Sequence, residues 1–259
     1  MEPNVTSKQV ATPSASGNSS RSSGSGLWRI DSEMKHLAFV MDGNRRWADR
    51  ERLPRVRGHK EGIVAIERVI NSCIRQDDEY LTLFAFSTEN WNREKYELRY
   101  LVRLMYRYLT LVHKGMLGTS VYNDIKLSFI GNRADFGTRN VEMMRKIELH
   151  QTSTVRCHVV VAVSYGGKDE IVDAVNAALE NGKDRIKQVD IESNLYLPGV
   201  PFPDMIARTG RTMSLSFFLT WQSAYSELLF LDRLWPEISE DDVEFCVQEY
   251  KSRDRKFGK

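Results

Sequence analysis

Short apolar runs that alternate with longer amphipathic stretches constrain the fold of this chain more than any other feature. The clearest run, Val159-Val160-Val161-Ala162-Val163, has no polar residue on either side of an extended chain. This is typical of a strand in a parallel sheet that is covered on both faces. Strands are predicted at His36–Asp42, Tyr80–Ser87, Ile125–Gly131, Arg156–Ser164, Asp204–Arg208 and Glu227–Leu231.

The segments between these runs have the apolar spacing of amphipathic helices. Three stripes show it: Ile66, Val69, Ile70, Cys73 and Ile74; Leu98, Leu101, Val102, Met105, Leu109 and Val112; and Ile171, Val172, Val175, Ala178 and Leu179. The alternation predicts an α/β fold in one domain, with a central, mostly parallel six-stranded sheet flanked by helices. Such sheets bind ligands at the carboxyl ends of their strands.

The composition allows one large domain. The chain has 259 residues, of which 41% are hydrophobic, which is enough for a substantial core. Residues 1–26 are rich in Ser, Gly and Thr and carry few large aliphatic side chains. They cannot bury enough apolar surface to offset the entropy of ordering. We therefore predict a disordered tail over residues 1–26 and one folded domain over residues 27–259.

Charge and cysteine content exclude several classes of protein. The formal net charge is +2, which does not favour a general nucleic-acid binder. Three cysteines with no CxxC pair favour a reducing compartment over a disulfide framework or a structural zinc site. No apolar stretch approaches the roughly 20 residues needed to span a bilayer. These features predict a cytoplasmic protein with at most peripheral membrane contact.

The loop after the first strand, Asp42-Gly43-Asn44, precedes a dense basic segment. Its cations are Arg45, Arg46, Arg50, Arg52, Arg55, Arg57, His59 and Lys60, opposed by Asp49 and Glu51. An ordinary turn followed by a solvated face is the simpler interpretation. However, glycine permits close backbone approach, and arginine forks match phosphate oxygens. We predict phosphate binding here, with Asp42 holding a hard cation such as Mg²⁺ beside the anion.

Polar residues also follow the second and fourth strands. Asn90 and Arg93 follow the second, where a helix N-cap is the simpler interpretation, and become candidates for contacting the same ligand. The Gly166-Gly167 turn after the fourth strand is a weak signal for ligand binding, because a strand-to-helix turn needs glycine in any case.

The segment Arg208–Ser216 holds two arginines and four hydroxyls, which suit a second phosphate group; a flexible polar loop is the alternative. Glu227 opens an apolar strand, where a lone acid is costly unless it is paired or bound to metal. We predict that Asp42 and Glu227 share one Mg²⁺. Two anion sites, one hard cation and no nucleophile–base pair suggest an ionisation in which a diphosphate departs. The apolar helix stripes would enclose a hydrocarbon tail.

Several segments resemble the cis-prenyltransferases, the family of undecaprenyl diphosphate synthase. They are "HLAFVMDGNRRWA", "RGHKEG", "LTLFAFSTENWNR", "SYGG", "ARTG", "WQSAYSELLF" and "LWPEI", in order along residues 36–258. Rossmann and P-loop patterns are absent from the sequence. The resemblance implies a homodimer, a hydrophobic tunnel between helices and sheet, and Mg²⁺-dependent joining of an allylic diphosphate to a second, homoallylic or allylic, prenyl diphosphate. Residues 27–259 would form this catalytic domain.

The resemblance also implies roles for individual residues. It makes Asp42 the essential metal-binding aspartate and Glu227 the second metal ligand. By the resemblance, the donor diphosphate would be held by Gly43, Asn44, Arg46, Arg55, His59 and Arg93, and the acceptor diphosphate by Arg208 and Ser216. From the charges and hydroxyls of the two loops we add Arg45 to the predicted donor site and Arg211 and Ser214 to the predicted acceptor site. Ser87, Asn90 or a diphosphate oxygen would accept or relay the proton that is lost.

The acceptor loop departs from the family pattern. Thr212 stands at the usual Glu, Ser214 at the second Arg and Phe217 at the Asn; Lys256-Phe257-Gly258 replaces Arg-x-Gly. Loss of the second arginine, whose guanidinium group can donate two parallel hydrogen bonds, weakens recognition of isopentenyl diphosphate. Arg211 could restore some of the lost positive charge. We therefore predict a short-chain or irregular member that joins two allylic diphosphates head to middle, giving a lavandulyl-type skeleton. Ordinary head-to-tail Z-condensation with isopentenyl diphosphate is the alternative.

Two rival functions are weaker. The family includes non-catalytic partner subunits that lose the aspartate, whereas Asp42 and its arginines are intact here. RNA binding through residues 45–60 would rest on phosphate contacts alone, which are unspecific and salt-dependent.

Overall fold

A computed structural model describes residues 33–115, 120–149 and 154–254. All six predicted strands are confirmed: β1 His36–Val40, β2 Tyr80–Ser87, β3 Ile125–Ile130, β4 Cys157–Tyr165, β5 Met205–Arg208 and β6 Glu227–Phe230. They form one sheet in the order β3-β4-β2-β1-β5-β6, and every neighbouring pair is parallel. The predicted single α/β domain is confirmed. The predicted tail over residues 1–26 and the segment 256–258 lie outside the described residues.

Seven α-helices occur in the described parts of the chain. They are α1 Asn44–Arg50, α2 Arg55–Arg75, α3 Lys95–His113, α4 Thr138–Glu148, α5 Gly167–Glu180, α6 Gln188–Glu192 and α7 Glu240–Ser252. Short 3₁₀ turns occupy Thr88–Asn92, Ser120–Asn123, Arg133–Phe136 and Trp235–Glu237. None of these helices is long and apolar enough to cross a bilayer.

The sheet is covered on both faces because strand side chains alternate in direction. Leu37 and Phe39 point into a core completed by α2 and α7. Helices α3 and α4 pack against each other and cover Phe86 and Phe129. Ala38 and Val40 point the other way, toward Phe218 and Leu219 of the segment between β5 and β6. This two-sided burial explains why the strands read as continuous apolar runs.

The helix predictions hold for α2 and α3 but not fully for α5. The predicted stripes of α2 and α3 lie in the core clusters. On α5, however, Val172 and Leu179 are 56% and 49% exposed. The buried face consists of Gly167, Glu170, Ala174 and Ala178. A carboxylate can face inward here because Glu170 accepts hydrogen bonds from the Tyr165 hydroxyl (2.5 Å), the Gln222 amide (2.9 Å) and the Tyr196 backbone N–H (3.0 Å).

His36 ties the start of β1 to its surroundings. Its Nδ1 lies 2.6 Å from the carbonyl oxygen of Pro201, and its Nε2 lies 2.8 Å from Oγ1 of Thr82. A carbonyl can only accept, so Nδ1 carries the proton and Nε2 accepts from the Thr82 hydroxyl. Burial lowers the pKa of His36 from 6.5 to about 4, although the bond to Pro201 acts in the opposite direction. The imidazole is therefore neutral at pH 7.

This buried neutral histidine predicts a pH-dependent free energy of unfolding. The folded pKa lies below the unfolded value, so the stabilisation is fully present above pH 6.5 and is lost as the pH falls toward 4. One such group contributes a slope of up to about 1.4 kcal/mol per pH unit in that window. In urea unfolding across this range, His36→Gln should reduce the slope, whereas His113→Gln, at an exposed histidine of α3, should leave it unchanged. Equal slopes for wild type and His36→Gln would contradict this assignment.

Candidate active site at the carboxyl edge of the sheet

Asp42 lies between two guanidinium groups just beyond the end of β1. Its Oδ1 is 2.9 Å from Nη2 of Arg46, one turn further along the chain, and its Oδ2 is 2.9 Å from Nη2 of Arg208. Arg208 ends β5, which pairs with β1 so that Arg208 lies beside Val40. Burial alone would raise the pKa of Asp42, but the hydrogen bonds and charges of Arg208 and Arg46 outweigh it and hold the pKa below 3.8. The carboxylate is therefore ionised at neutral pH.

The backbone around Asp42 is fixed by three neighbours. The Thr209 hydroxyl donates to the carbonyl of Asp42 (2.7 Å) and accepts from its N–H (3.0 Å). The N–H of Trp235 donates to the same carbonyl at 2.9 Å. Gly43 follows with φ of 112°, and a Cβ there would approach Leu234 to 2.8 Å. Only glycine fits this turn without strain. The turn fixes the direction in which α1 leaves the edge of the sheet.

A second charged cluster is organised by Glu97 of α3, which is 1% exposed. Its carboxylate lies 3.2 Å from Nε2 of His59, 3.3 Å from Nη1 of Arg93 and 4.0 Å from Nε of Arg45. Burial, and then the charge of Arg93, lower the pKa of His59 to about 4 against the opposing effect of Glu97. Burial also lowers the pKa of Arg93. One buried acid thus holds two arginines and a neutral histidine.

A polar cavity of about 390 Å³ lies between the two clusters. Its lining includes all seven residues predicted for the donor diphosphate: Gly43, Asn44, Arg45, Arg46, Arg55, His59 and Arg93. Asp42 and Asp49 supply its carboxylates, and Asp49 is engaged by Nε of Arg55 at 3.2 Å. The structure brings these residues together, while their role in binding diphosphate stays a prediction.

An apolar cavity of about 110 Å³ adjoins the polar one, and Met41, Asn44 and His59 line both. Its walls come from α2, α3 and strands β2 to β4, and include Ile63, Ile66, Phe86, Leu101, Met105, Phe129 and Trp235. Tyr108 and Tyr122 also line it, and their hydroxyls are hydrogen-bonded to each other. A charged cavity that opens into an apolar one suits an amphiphile with an anionic head.

The predicted acceptor residues come together only in part. Nη1 of Arg208 donates to the Ser214 carbonyl (2.6 Å), to Oγ of Ser214 (3.1 Å) and to Oγ of Ser216 (2.8 Å). Nε of Arg208 is buried without a hydrogen-bond partner among the described residues. Arg211, in contrast, has a side chain that is 74% exposed and pairs with Asp232 at 3.5 Å. It therefore supplies no second guanidinium beside Arg208.

Ser216, Phe217 and Leu219 of this loop adopt positive φ angles of 51°, 60° and 46°. Such left-handed backbone is unfavourable for residues other than glycine and is concentrated at functional sites.

Glu227 does not join this site, and the prediction that it shares an ion with Asp42 is wrong for a single chain. Glu227 is the first residue of β6 and lies opposite Met205, which lies opposite Leu37. It therefore occupies the amino edge of the sheet, about 16 Å from the level of Asp42 along the strands. Its carboxylate is paired instead with Nη1 of Arg253 at 2.8 Å.

Ser87 and Asn90 line neither cavity. The Asn90 side chain accepts from the Ser87 N–H at 3.3 Å, as in an ordinary cap. Two contributors were not predicted in these roles: Thr209 as a clamp on the Asp42 backbone and Glu97 as the anchor of the second cluster. Sequence offered a signal for Glu97, which is the one acid in α3 and lies four residues after Arg93.

Comparisons with known proteins agree with this geometry. A family described as putative undecaprenyl diphosphate synthase matches residues 40–258. The isoprenyl transferase of Chromobacterium violaceum is 38% identical over 225 residues, covering 87% of this chain and 88% of that protein. The isoprenyl transferase of Rickettsia typhi is 37% identical over 227 residues, covering 87% and 98%. The chain belongs to the cis-prenyltransferase family.

Solved structures of this cis-prenyltransferase's relatives share its fold. Lavandulyl diphosphate synthase from Lavandula x intermedia, in complex with dimethylallyl diphosphate, has a TM-score of 0.79 and 28% identity over 88% of this chain and 99% of its own. A probable undecaprenyl diphosphate synthase from Campylobacter jejuni has a TM-score of 0.73 and 30% identity over the same shares. The protein is thus a prenyltransferase that makes prenyl diphosphates, as predicted.

Gly58 of α2 offers a test of the local packing that positions the donor residues. A Cβ there would lie 1.9 Å from the carbonyl oxygen of Asn44. Gly→Ala inside a helix ordinarily stabilises by about 1 kcal/mol. Here we expect Gly58→Ala to lower the free energy of unfolding by about 1–3 kcal/mol, because α1 must move off α2. Affinity for inorganic diphosphate, measured by calorimetry, should also fall. Exposed Val64→Ala on the same helix is the control, and a stabilised Gly58→Ala protein would contradict the packing.

Proposed function

We propose that this cis-prenyltransferase joins an allylic diphosphate of the dimethylallyl or geranyl type to a second prenyl diphosphate, in a Mg²⁺-dependent reaction that releases diphosphate. The observation that carries the proposal is the continuity of the two cavities through Met41, Asn44 and His59. The arginines receive the diphosphate and the apolar cavity receives the short prenyl tail.

The residues present fit a magnesium ion that arrives with its substrate. In the described residues no cluster of three His, Cys, Asp or Glu side chains could cage a metal. Mg²⁺, however, is commonly bound by one or two carboxylates together with substrate phosphates, and Asp42 provides such a carboxylate. Both Asp42 oxygens are paired with arginines, which must transfer to diphosphate oxygens before the acid can hold the ion. When bound, Mg²⁺ would neutralise charge on the departing diphosphate.

The chain's own residues would position and stabilise both partners. Arg45, Arg46, Arg55 and Arg93 surround the donor diphosphate and compensate the negative charge that grows as its C1–O bond breaks. The apolar cavity holds the tail and keeps water from the allylic cation. Arg208, Ser214 and Ser216 hold the second diphosphate so that its double bond attacks C1 and forms the new C–C bond.

A proton must then leave the product. Asn90 has no basic group, and it is engaged with Ser87 in a local cap. We therefore favour an oxygen of the released diphosphate as the proton acceptor, which keeps the reaction balanced without a protein base.

The acceptor loop favours the irregular, head-to-middle reaction. The guanidinium in contact with Ser214 and Ser216 is that of Arg208, whereas Arg211 faces Asp232. An acceptor site with one arginine departs from the two arginines that the family usually places around isopentenyl diphosphate. Similarity to the lavandulyl diphosphate synthase structure supports the same choice. Head-to-tail Z-condensation is the alternative, supported by the relatives that are isoprenyl transferases. The intact Asp42 cluster argues against a non-catalytic partner subunit.

We also propose that the protein is a homodimer. β6 is one of the two edge strands of the sheet, and Leu228 on this strand and Tyr225 just before it are 38% and 56% exposed. Exposed apolar side chains on an edge strand favour association with a second copy of the chain. Sedimentation equilibrium of the full chain should give a dimer that Leu228→Glu dissociates, and a monomeric wild-type protein would contradict it.

Product analysis tests the proposed reaction. With Mg²⁺ and dimethylallyl diphosphate alone, we expect a branched ten-carbon diphosphate, identified by mass spectrometry and NMR. Removal of metal with EDTA should abolish product formation.

Asp42→Asn should lower kcat by at least about a hundredfold, since it removes electrostatic stabilisation of the departing group. Asp232→Asn, at an exposed acid outside both cavities, is the control. Product only when isopentenyl diphosphate is present would refute the irregular reaction, and normal turnover of Asp42→Asn would refute the metal assignment.

A further inference from the structure

Helix α3 separates two very different environments. Its inner face lines the apolar cavity through Leu101, Leu104, Met105, Tyr108 and Leu109. Its outer face is exposed and basic, with Lys95, Arg99, Arg103 and Arg107 spaced four residues apart and Lys114 just after the helix. At 100° per residue, these side chains fall within one side of the helix.

No acid of α3 lies on this face to offset its positive charge. The one acid of α3, Glu97, is buried and turned toward His59 and Arg93. None of the five outer cations forms an ion pair with a described residue. Some exposed arginines on other surfaces do form ion pairs, as Arg50 does with Glu237 and Arg233 with Asp242. A solvated helix usually offsets such charge with acids at i,i+4 positions. In a protein with net charge +2, this face of α3 is a local concentration of positive charge.

Large apolar side chains lie among these cations. Tyr96, Tyr106 and Leu111 are 53%, 36% and 38% exposed on the same side of the helix. Basic residues interleaved with tyrosine and leucine are typical of helices that lie in the plane of a membrane interface. Lysine and arginine there reach lipid headgroups while tyrosine occupies the boundary with the acyl chains.

We propose that the outer face of α3 docks on the surface of an anionic lipid bilayer. Charge complementarity selects an anionic partner. The exposed Leu111 and Tyr106 select lipid over nucleic acid, because they would enter acyl-chain boundary rather than remain in water. The docked helix would then form a wall about 10 Å thick between the bilayer and the apolar cavity. The inference depends on surface charge and exposure and is independent of which prenyl diphosphates the enzyme joins.

Co-sedimentation of the full chain with lipid vesicles tests the proposal. The protein should bind vesicles of phosphatidylcholine mixed with phosphatidylglycerol at low salt, and bind phosphatidylcholine alone weakly or not at all. Each basic residue near an anionic leaflet contributes about fivefold to affinity. Arg103→Gln/Arg107→Gln should therefore lower affinity by about 25-fold. Tyr106→Ser/Leu111→Ser should lower it as well, because the apolar side chains insert.

A matched control removes the same charge elsewhere. Arg185→Gln/Lys187→Gln removes two charges from exposed residues between α5 and α6. This segment is not part of α3, which packs against α2 and α4. The control variant should therefore leave vesicle affinity unchanged. Circular dichroism and thermal unfolding establish that each variant is folded. Three results would overturn the proposal. They are an equal loss of vesicle affinity in both charge variants, equal binding to vesicles with and without phosphatidylglycerol, and unchanged vesicle affinity of the Tyr106→Ser/Leu111→Ser variant. Binding to a single-stranded oligonucleotide but not to vesicles would overturn it in favour of nucleic acid.

Discussion

The ion pairs that hold Asp42 between Arg46 and Arg208 connect the fold to the chemistry. They span the end of β1, the first turn of α1 and the end of β5, at the sheet edge where parallel strands present their carboxyl ends. Thr209 and Trp235 fix the backbone of the same acid. Because three elements meet at one carboxylate, its position is determined by the sheet rather than by a mobile loop.

Charge balance explains why so many cations can face one cavity. Asp42 offsets part of the positive charge of Arg46 and Arg208, and the buried Glu97 offsets part of that of Arg93 and Arg45. Under the proposed function, a diphosphate that enters between the clusters would offer these guanidinium groups a better match in charge and geometry. Asp42, released from its arginines, would then be free to hold the proposed Mg²⁺. The same residues would thus hold one another in place and recognise the proposed ligand.

Sequence predicted the strands well because burial on both faces removes polar residues from them. It grouped the residues predicted for the donor site because six of the seven follow β1 within a short stretch. Sequence-based prediction failed where the register of the paired strands determines which residues lie close together. Glu227 begins its strand whereas Asp42 follows the end of another, so the sheet separates two acids that composition alone would pair. The exposure of Val172 and the direction of the Arg211 side chain depend on packing and loop geometry that periodicity does not encode. The pairing of Tyr108 with Tyr122 joins segments that show no common pattern in sequence.

A crystal structure with Mn²⁺ and an unreactive thio-analogue of dimethylallyl diphosphate tests the central role of Asp42 most directly. We expect anomalous density for an ion on the Asp42 carboxylate, a diphosphate among Arg45, Arg46 and Arg55, and Arg46 displaced from the acid. A headgroup bound elsewhere, with Asp42 still paired to both arginines and no ion beside it, would contradict the account.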